Sequence, residues 1–152
     1  MKNSIYYTNL INNINTVLIE LDKITTNEEY FNYKSDIELC IFNSLHALGD
    51  LYERLEDDVK NGDNIVNAFQ YLNNQVKHIK DLEKITYAAS ASTYPMFFPM
   101  NFGEFHFSWL NFPNKENRKI PLRPQYEKHL MDKDVKTSYV KLLDCINEFI
   151  NK

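Results

Sequence analysis

Glycine is scarce in this sequence, with 3 among 152 residues. The three are isolated from one another, so the chain has no glycine-rich loop of the kind that cradles nucleotide phosphates. The sequence therefore excludes P-loop proteins and dinucleotide-binding domains. Few glycines, together with abundant Leu, Ile, Asn and Lys, favour helices joined by a limited number of tight turns.

Cysteine is also scarce, and Cys40 and Cys145 lie far apart with no CxxC pattern. Neither a zinc site nor a disulfide framework is indicated, and we expect two reduced core cysteines. The four histidines do not form the closely spaced pairs that place metal ligands on one helix face. They are His46, His78, His106 and His129. We therefore expect no metal and no cofactor.

Long apolar runs are missing, and no stretch approaches the roughly 20 apolar residues that span a bilayer. The N-terminal residues also lack the apolar segment of a signal peptide. These absences predict a cytoplasmic protein with no membrane partner. The net charge of −4 excludes a protein that coats nucleic acid through a basic face, but it leaves a local site open.

Apolar periodicity predicts a mainly α protein, an antiparallel four-helix bundle in a single domain spanning residues 1–152. The first helix is predicted over residues 4–22, and residues 24–34 read as a polar connector. Ser35 and Glu38 form a capping-box pattern that opens a second helix, which ends near residue 61. Asp63 is predicted to cap a third helix, and the last helix begins near Lys133 or Asp134 and runs to the C-terminus.

The segment of about 86–132 breaks this pattern and predicts a β-hairpin and loop inserted between helices 3 and 4. Residues 104–109 alternate strictly, which is typical of a strand, and residues 96–98 read as its partner across a turn at 101–103. We expect Phe105, Phe107 and Trp109 to be more buried than the residues between them. The ribbon has surplus aromatic surface, so Phe102 and Trp109 are predicted interface residues, and a wholly internal packing is an equal alternative.

Polar side chains crowd into the end of the third predicted helix, in the sequence Leu72-Asn73-Asn74-Gln75-Val76-Lys77-His78. Asn74 and His78 are four residues apart and therefore neighbours on one helix face. A set this compact suits binding or catalysis, and it also suits a solvated face. We take Asn73, Asn74, Lys77 and His78 as the candidate binding residues, and His78 as the candidate catalytic residue.

This segment resembles the signature of the HEPN superfamily, small helical bundles of which many are RNA-cutting toxins or defence proteins. Their motif is Arg, often a polar residue, and then His after four to six intervening residues, at the end of the third helix. Here Asn73 stands in the Arg position, Asn74 matches the polar residue and His78 matches the histidine. The resemblance implies a homodimer that pairs through the motif surface. It also implies an RNA or nucleotide ligand, with RNA cut without a metal where Arg and His are both present.

Three functions follow. The leading hypothesis is a non-catalytic HEPN-like interaction or nucleotide- or RNA-binding module, in a bacterial or phage defence or toxin–antitoxin setting, because neutral Asn73 cannot supply the charge of Arg. The first alternative is a metal-independent ribonuclease that uses His78, with Lys77 or Arg123 supplying the positive charge. The second alternative is an unrelated helical scaffold that binds a protein partner.

Overall fold

The structure is a computed structural model that describes residues 3–77, 81–90, 105–111 and 120–152. Within these ranges the protein is mainly helical, with a two-stranded antiparallel sheet. The helices are α1 (Ser4–Asp22), α2 (Asn27–Tyr52), α3 (Asp57–Lys60), α4 (Ile65–Val76), α5 (Arg123–His129) and α6 (Val135–Ile150). The strands are β1 (Thr86–Ser90) and β2 (Phe105–Trp109).

The first and last helices agree with the sequence prediction. Helix α1 buries an apolar stripe that recurs at spacings of three and four residues: Leu10, Ile14, Val17 and Leu21. Helix α6 begins after Asp134, whose carboxylate accepts a hydrogen bond of 2.8 Å from the backbone N–H of Thr137. This bond satisfies one of the free donors of the first turn.

The start of the second helix was predicted wrongly. Helix α2 begins at Asn27, so most of the predicted connector 24–34 is helical. Thr26 is the cap, because its hydroxyl accepts from the backbone N–H of Glu29 at 3.1 Å and donates to the Glu29 carboxylate at 3.3 Å. Ser35 lies inside the helix, and the Glu38 carboxylate instead accepts from the backbone N–H of Leu82 at 2.9 Å.

The second predicted helix is also too long, because α2 ends at Tyr52 and the single-turn helix α3 follows. Helix α4 is capped by Asn64, whose side chain accepts from the backbone N–H of Asn67 at 3.0 Å. Asp63 is therefore not the cap. Its carboxylate contacts Lys128 and His129 of α5 instead.

The sheet confirms one predicted strand and corrects its partner. Strand β2 pairs antiparallel with β1, whose residues were interpreted only as a small, hydroxylated segment. The predicted partner, residues 96–98, lies outside the described residues. Phe107 and Trp109 are buried and His106 is exposed, as alternation predicts. Ser108 departs from the pattern at 7% exposure, because it forms a β-bridge with Asp134 that covers it.

Helix α5 lies in the segment predicted as a loop. Pro124 is compatible with this helix because it occupies the first turn, where the missing N–H has no intrahelical partner to lose. The described part of the chain therefore has six helices where the sequence predicted four.

The helices pack in pairs around an aromatic centre. Helix α1 contacts α2 and α6, and α4 contacts α2, α5 and α6. Phe69 of α4 meets Trp109 at 5.8 Å, edge to face, and Tyr139 of α6 at 5.1 Å between ring centroids. Such pairs contribute about 0.5–1.5 kcal/mol beyond the area they bury. No helix in the described ranges combines the length and apolar character needed to cross a bilayer.

Candidate functional site

Helix α4 carries the candidate residues, and it is buried over most of its surface. Every residue from Ile65 to Asn73 is buried, whereas Asn74 and Lys77 are exposed. Three of the buried side chains are amides, namely Asn67, Gln70 and Asn73. A buried amide is costly unless its donors and acceptors are paired, so the partners of each one determine its role.

The Asn67 side chain is fully paired and structural. Its Nδ2 donates to the carbonyls of Gly62 and Val59 at 2.7 and 3.2 Å, and its Oδ1 accepts from the Tyr52 hydroxyl at 2.8 Å. These bonds fix the α3–α4 connection and the end of α2 against the first turn of α4.

The Asn73 side chain faces a neighbouring helix. It is 4% exposed, and its Nδ2 lies 2.3 Å from the point that a Cβ would occupy at Gly49 of α2. Its Oδ1 is buried, and no described residue bonds it. The residue in the Arg position of the motif is thus an interhelical amide whose oxygen has no hydrogen bond from the described part of the chain.

The Gln70 side chain, one turn before Asn73, shares this feature. Its Nε2 donates to Oδ1 of exposed Asn74 at 3.3 Å, while its Oε1 is buried without a bond from the described residues. Asn73 and Asn74 come three and four residues after Gln70, and Lys77 comes four and three residues after them, so the four residues lie along one face of α4. We call these four residues the amide face.

The remaining motif residues lie at the C-terminal end of the amide face. Lys77 is the C-terminal cap of α4 and is exposed. His78 lies outside the described residues, so its predicted roles stay predictions. On α2, exposed His46 precedes Gly49 by one turn and lies on the same side of that helix.

Arg123, the cation considered as a substitute for the missing Arg, is engaged in the contact between α4 and α5. It is 7% exposed, its Nη1 donates to the Tyr71 hydroxyl at 3.1 Å, and its Nε pairs with Glu127 at 2.8 Å. Its charge is thus balanced by an acid on its own helix.

The thiols are poor nucleophiles. Burial raises the pKa of Cys40 to about 12 and that of Cys145 to about 11, so both are protonated at neutral pH. Among the described residues, no group of three or more His, Cys, Asp or Glu side chains is placed to hold a metal ion.

The two predicted interface residues have different outcomes. Trp109 is 0% exposed and packs inside the chain's own core, so its side chain is not available to a partner. Its strand pairs with β1 on one side and is covered at its end by residues 132–134, which explains the burial. Phe102 lies outside the described residues.

Comparison of the chain with protein-family models, with curated proteins and with solved structures finds no match. The HEPN-like resemblance therefore stays a prediction that depends on the motif residues and the order of the helices.

Two members of the site were missed by sequence reasoning. Gln70 is four residues before Asn74, and this amide pair at helical spacing was a usable signal. Gly49 had no such signal, because its role depends on how α2 and α4 approach each other, and this approach is not encoded in local spacing.

Proposed function

We propose that the chain is a non-catalytic binding module whose amide face takes an unpaired base of RNA or of a nucleotide. The observation that carries this proposal is a pair of buried amide oxygens, Gln70 Oε1 and Asn73 Oδ1, that no described residue bonds and that lie beside exposed Asn74 and Lys77.

Unused acceptors point to a ligand that donates hydrogen bonds. Each buried acceptor without a partner costs about 1–3 kcal/mol, and a donor group that reached it would recover that energy. The 3.3 Å bond between Gln70 and Asn74 is long for an amide pair, so both side chains can turn toward the surface at little cost.

The chemistry of the acceptors favours bases with an exocyclic amine. Asn and Gln side chains pair with the adenine edge, where the amide oxygen accepts from N6 and the amide nitrogen donates to N7. Lys77 supplies a positive charge for a phosphate at the exposed end of the same face. Single-stranded nucleic acid is the natural ligand, because its base edges are free.

We expect no catalysis at this site because Asn73 stands in the Arg position. A buried amide carries no positive charge to balance the extra phosphate charge of a transition state, and the Arg123 charge is held by Glu127 and the Tyr71 hydroxyl. The alternative, a metal-independent ribonuclease that uses His78, requires Lys77 to serve as the cation.

The proposal keeps the HEPN-like setting as its wider hypothesis. In this hypothesis the longer helices α1, α2, α4 and α6 form a HEPN-like bundle. The protein is a cytoplasmic homodimer, and it acts in bacterial defence or with a toxin partner. The scaffold alternative needs no ligand at the amide face, so a measurement of oligonucleotide binding distinguishes a scaffold from a binding module.

Binding is measured by fluorescence anisotropy with labelled single-stranded oligo-A, oligo-C and oligo-U. We expect oligo-A and oligo-C to bind about tenfold or more tightly than oligo-U, which lacks an exocyclic amine. Asn74→Ala and Lys77→Ala should weaken binding. Asn15→Ala on α1 and Lys141→Ala on α6 are matched controls, because both residues are exposed on other helices.

Gln70→Leu is the decisive variant. It removes a buried acceptor that no described residue bonds and one long bond to an exposed partner, so stability should change by less than about 1 kcal/mol. Binding should nevertheless fall about tenfold or more. A scaffold role predicts no oligonucleotide binding, and unchanged binding in Gln70→Leu would place the ligand elsewhere and refute the amide-face proposal.

A further inference from the structure

The connection between α3 and α4 contains the one Asn-Gly pair of the sequence, Asn61 and Gly62. An asparagine that precedes glycine can react with its own backbone, because glycine has no Cβ to hinder the approach of its nitrogen to the side-chain amide. Asn61 is the C-terminal cap of α3 and is exposed, so its side chain has room for this reaction.

The packing of the connection favours glycine at position 62. A Cβ there would lie 3.1 Å from the carbonyl oxygen of Asp58 and 3.3 Å from Nδ2 of Asn64, and both distances are shorter than ordinary van der Waals contact. The carbonyl oxygen of Gly62 also accepts a hydrogen bond of 2.7 Å from Nδ2 of Asn67. The contacts that favour glycine thus also keep the reactive pair in the chain.

The folded backbone holds this reaction back. The N–H of Gly62 donates to the carbonyl of Val59 at 3.2 Å, and Asn61 has helical dihedral angles, with φ −93° and ψ −5°. A ring that joins the Gly62 nitrogen to the Asn61 side chain requires a different ψ angle. The last turn of α3 must therefore open before the two atoms can meet.

This opening is a local event, because α3 is weakly held. The helix is a single turn, Asp57–Lys60, and none of its residues is buried. Segments with few buried apolar contacts open while the rest of a fold stays intact.

We propose that Asn61 modifies itself in the folded protein, through local opening of α3, and that the isoaspartate it forms loosens the start of α4. The reaction needs no ligand at the amide face, so either proposal stands if the other fails.

The chemistry is a cyclisation followed by hydrolysis. The Gly62 nitrogen attacks Cγ of Asn61 and forms a new N–C bond, while the side-chain amide nitrogen leaves as ammonia and takes the proton of the attacking nitrogen. The product is a five-membered succinimide. Water then opens the ring at one of its two carbonyls. Breaking the bond to Cγ gives aspartate, and breaking the bond to the main-chain carbonyl carbon gives isoaspartate, with no oxidant or reductant involved.

Isoaspartate lengthens the main chain at this point, because the chain then runs through Cγ and contains an extra methylene. The shift separates groups that are now bonded across the connection. The Gly62 carbonyl accepts from Asn67 at 2.7 Å, and the Val59 carbonyl accepts from Asn64 at 2.8 Å. Because Asn64 is also the cap of α4, we expect the first turn of that helix to lose stability.

Peptide mapping of aged protein by mass spectrometry tests the reaction. The native protein is incubated in warm, mildly alkaline buffer and digested, and isoaspartate is labelled with an isoaspartyl methyltransferase. We expect Asn61 to be modified before the other asparagines, including Asn43, which precedes a serine within α2. Asn61→Gln is the matched control. It keeps a side-chain amide, but it would have to form a six-membered ring, so it should stay unmodified.

Ile37→Ala separates local opening from global unfolding. Ile37 is 0% exposed in the first half of α2, at the far end of that helix from the connection, and its truncation leaves a cavity in the core. A reaction that requires global unfolding would become about thirtyfold faster or more in this variant. Local opening predicts an unchanged rate. Low urea, below the unfolding transition, gives the same comparison if Ile37→Ala fails to fold.

The effect on α4 is measured on the modified protein itself. Anion exchange separates the deamidated fraction, which carries an added negative charge, and the methyltransferase measures its isoaspartate content. Its urea midpoint should lie below that of Asn61→Asp, which has the charge without the extra methylene. Equal midpoints would overturn the loosening of α4. Modification of Asn61 no faster than that of Asn43, or a rate that follows global stability, would overturn the proposed reaction.

Discussion

The Asn73 amide of α4 lies directly against Gly49 of α2, with its Nδ2 2.3 Å from the point where a Cβ would stand. This contact requires glycine on α2, where helix propensity alone favours almost any other residue. The motif position that family resemblance assigns to a cation is thus part of the packing between two helices.

Gly49→Ala should destabilise the protein by about 1–3 kcal/mol, because the added methyl displaces a buried side chain. In an Asn73→Ala background the obstacle is gone, and the same substitution should stabilise the helix by up to about 1 kcal/mol. Urea unfolding of the native protein, of Gly49→Ala, of Asn73→Ala and of the double variant measures this reversal of sign. Equal effects of Gly49→Ala in both backgrounds would contradict the contact.

Asn73→Arg, which creates the HEPN-type motif, should destabilise the protein. A guanidinium at this buried position loses its hydration and cannot keep the close contact with Gly49, and the cost is about 3 kcal/mol or more. Asn74→Arg, one residue along and exposed, is the matched control and should leave the unfolding free energy within about 0.5 kcal/mol. Equal stability of the two variants would contradict the expected cost of placing a charge at residue 73.

Tyr71→Phe should cost about 1.5–3 kcal/mol, because its hydroxyl accepts a hydrogen bond from the buried, charged Arg123. Tyr33→Phe on exposed α2 surface controls for loss of a hydroxyl and should be nearly neutral. Thermal or urea unfolding provides the comparison. A neutral Tyr71→Phe would mean that this bond does not hold α5 on α4.

Stability should depend on pH through Asp63. Hydrogen bonds from Lys128 and then His129 lower the pKa of its carboxyl group below the usual 3.8. A lowered folded-state pKa gives stabilisation that is present above the unfolded pKa and is lost as pH falls through the folded value. Asp63→Asn should therefore be less stable than the native protein at neutral pH.

The difference between Asp63→Asn and the native protein should vanish below the lowered pKa. Unfolding midpoints across the acid range measure it, with Asp144→Asn, exposed on α6, as the control. A difference that persists at the acid end would show that Asp63 acts through something other than its charge.

The predictable parts of the fold are those with strong local patterns. The apolar stripe of α1 and the start of α6 at Asp134 can both be predicted from neighbouring residues in the sequence. The start of α2 was missed because Thr26–Glu29 and Ser35–Glu38 carry the same capping pattern, and tertiary contact chose between them. Strand β1 was missed because its small residues alternate too weakly to show which face is buried.

The candidate site was only partly predictable. Spacing placed Asn73 and Asn74 on α4, but burial separates them, with Asn73 at 4% exposure and Asn74 at the surface. That separation depends on the approach of α2, which Gly49 permits. Trp109 was predicted to lie at an interface because a two-stranded ribbon alone cannot bury an indole ring. In the structure Phe69 and Tyr139, which lie on helices, pack against that ring and bury it.

The central claim is that the protein binds RNA without cutting it. Its most direct test measures the binding of an RNA and the length of that RNA in the same samples. Labelled single-stranded oligo-A containing mixed-sequence flanks is titrated with the purified protein in excess chelator, and the same samples are then resolved on a denaturing gel. The account predicts saturable binding that Gln70→Leu weakens about tenfold or more, with the RNA intact and His78→Ala without effect on its length. RNA that is shortened by the native protein and spared by His78→Ala would contradict it and establish the ribonuclease alternative.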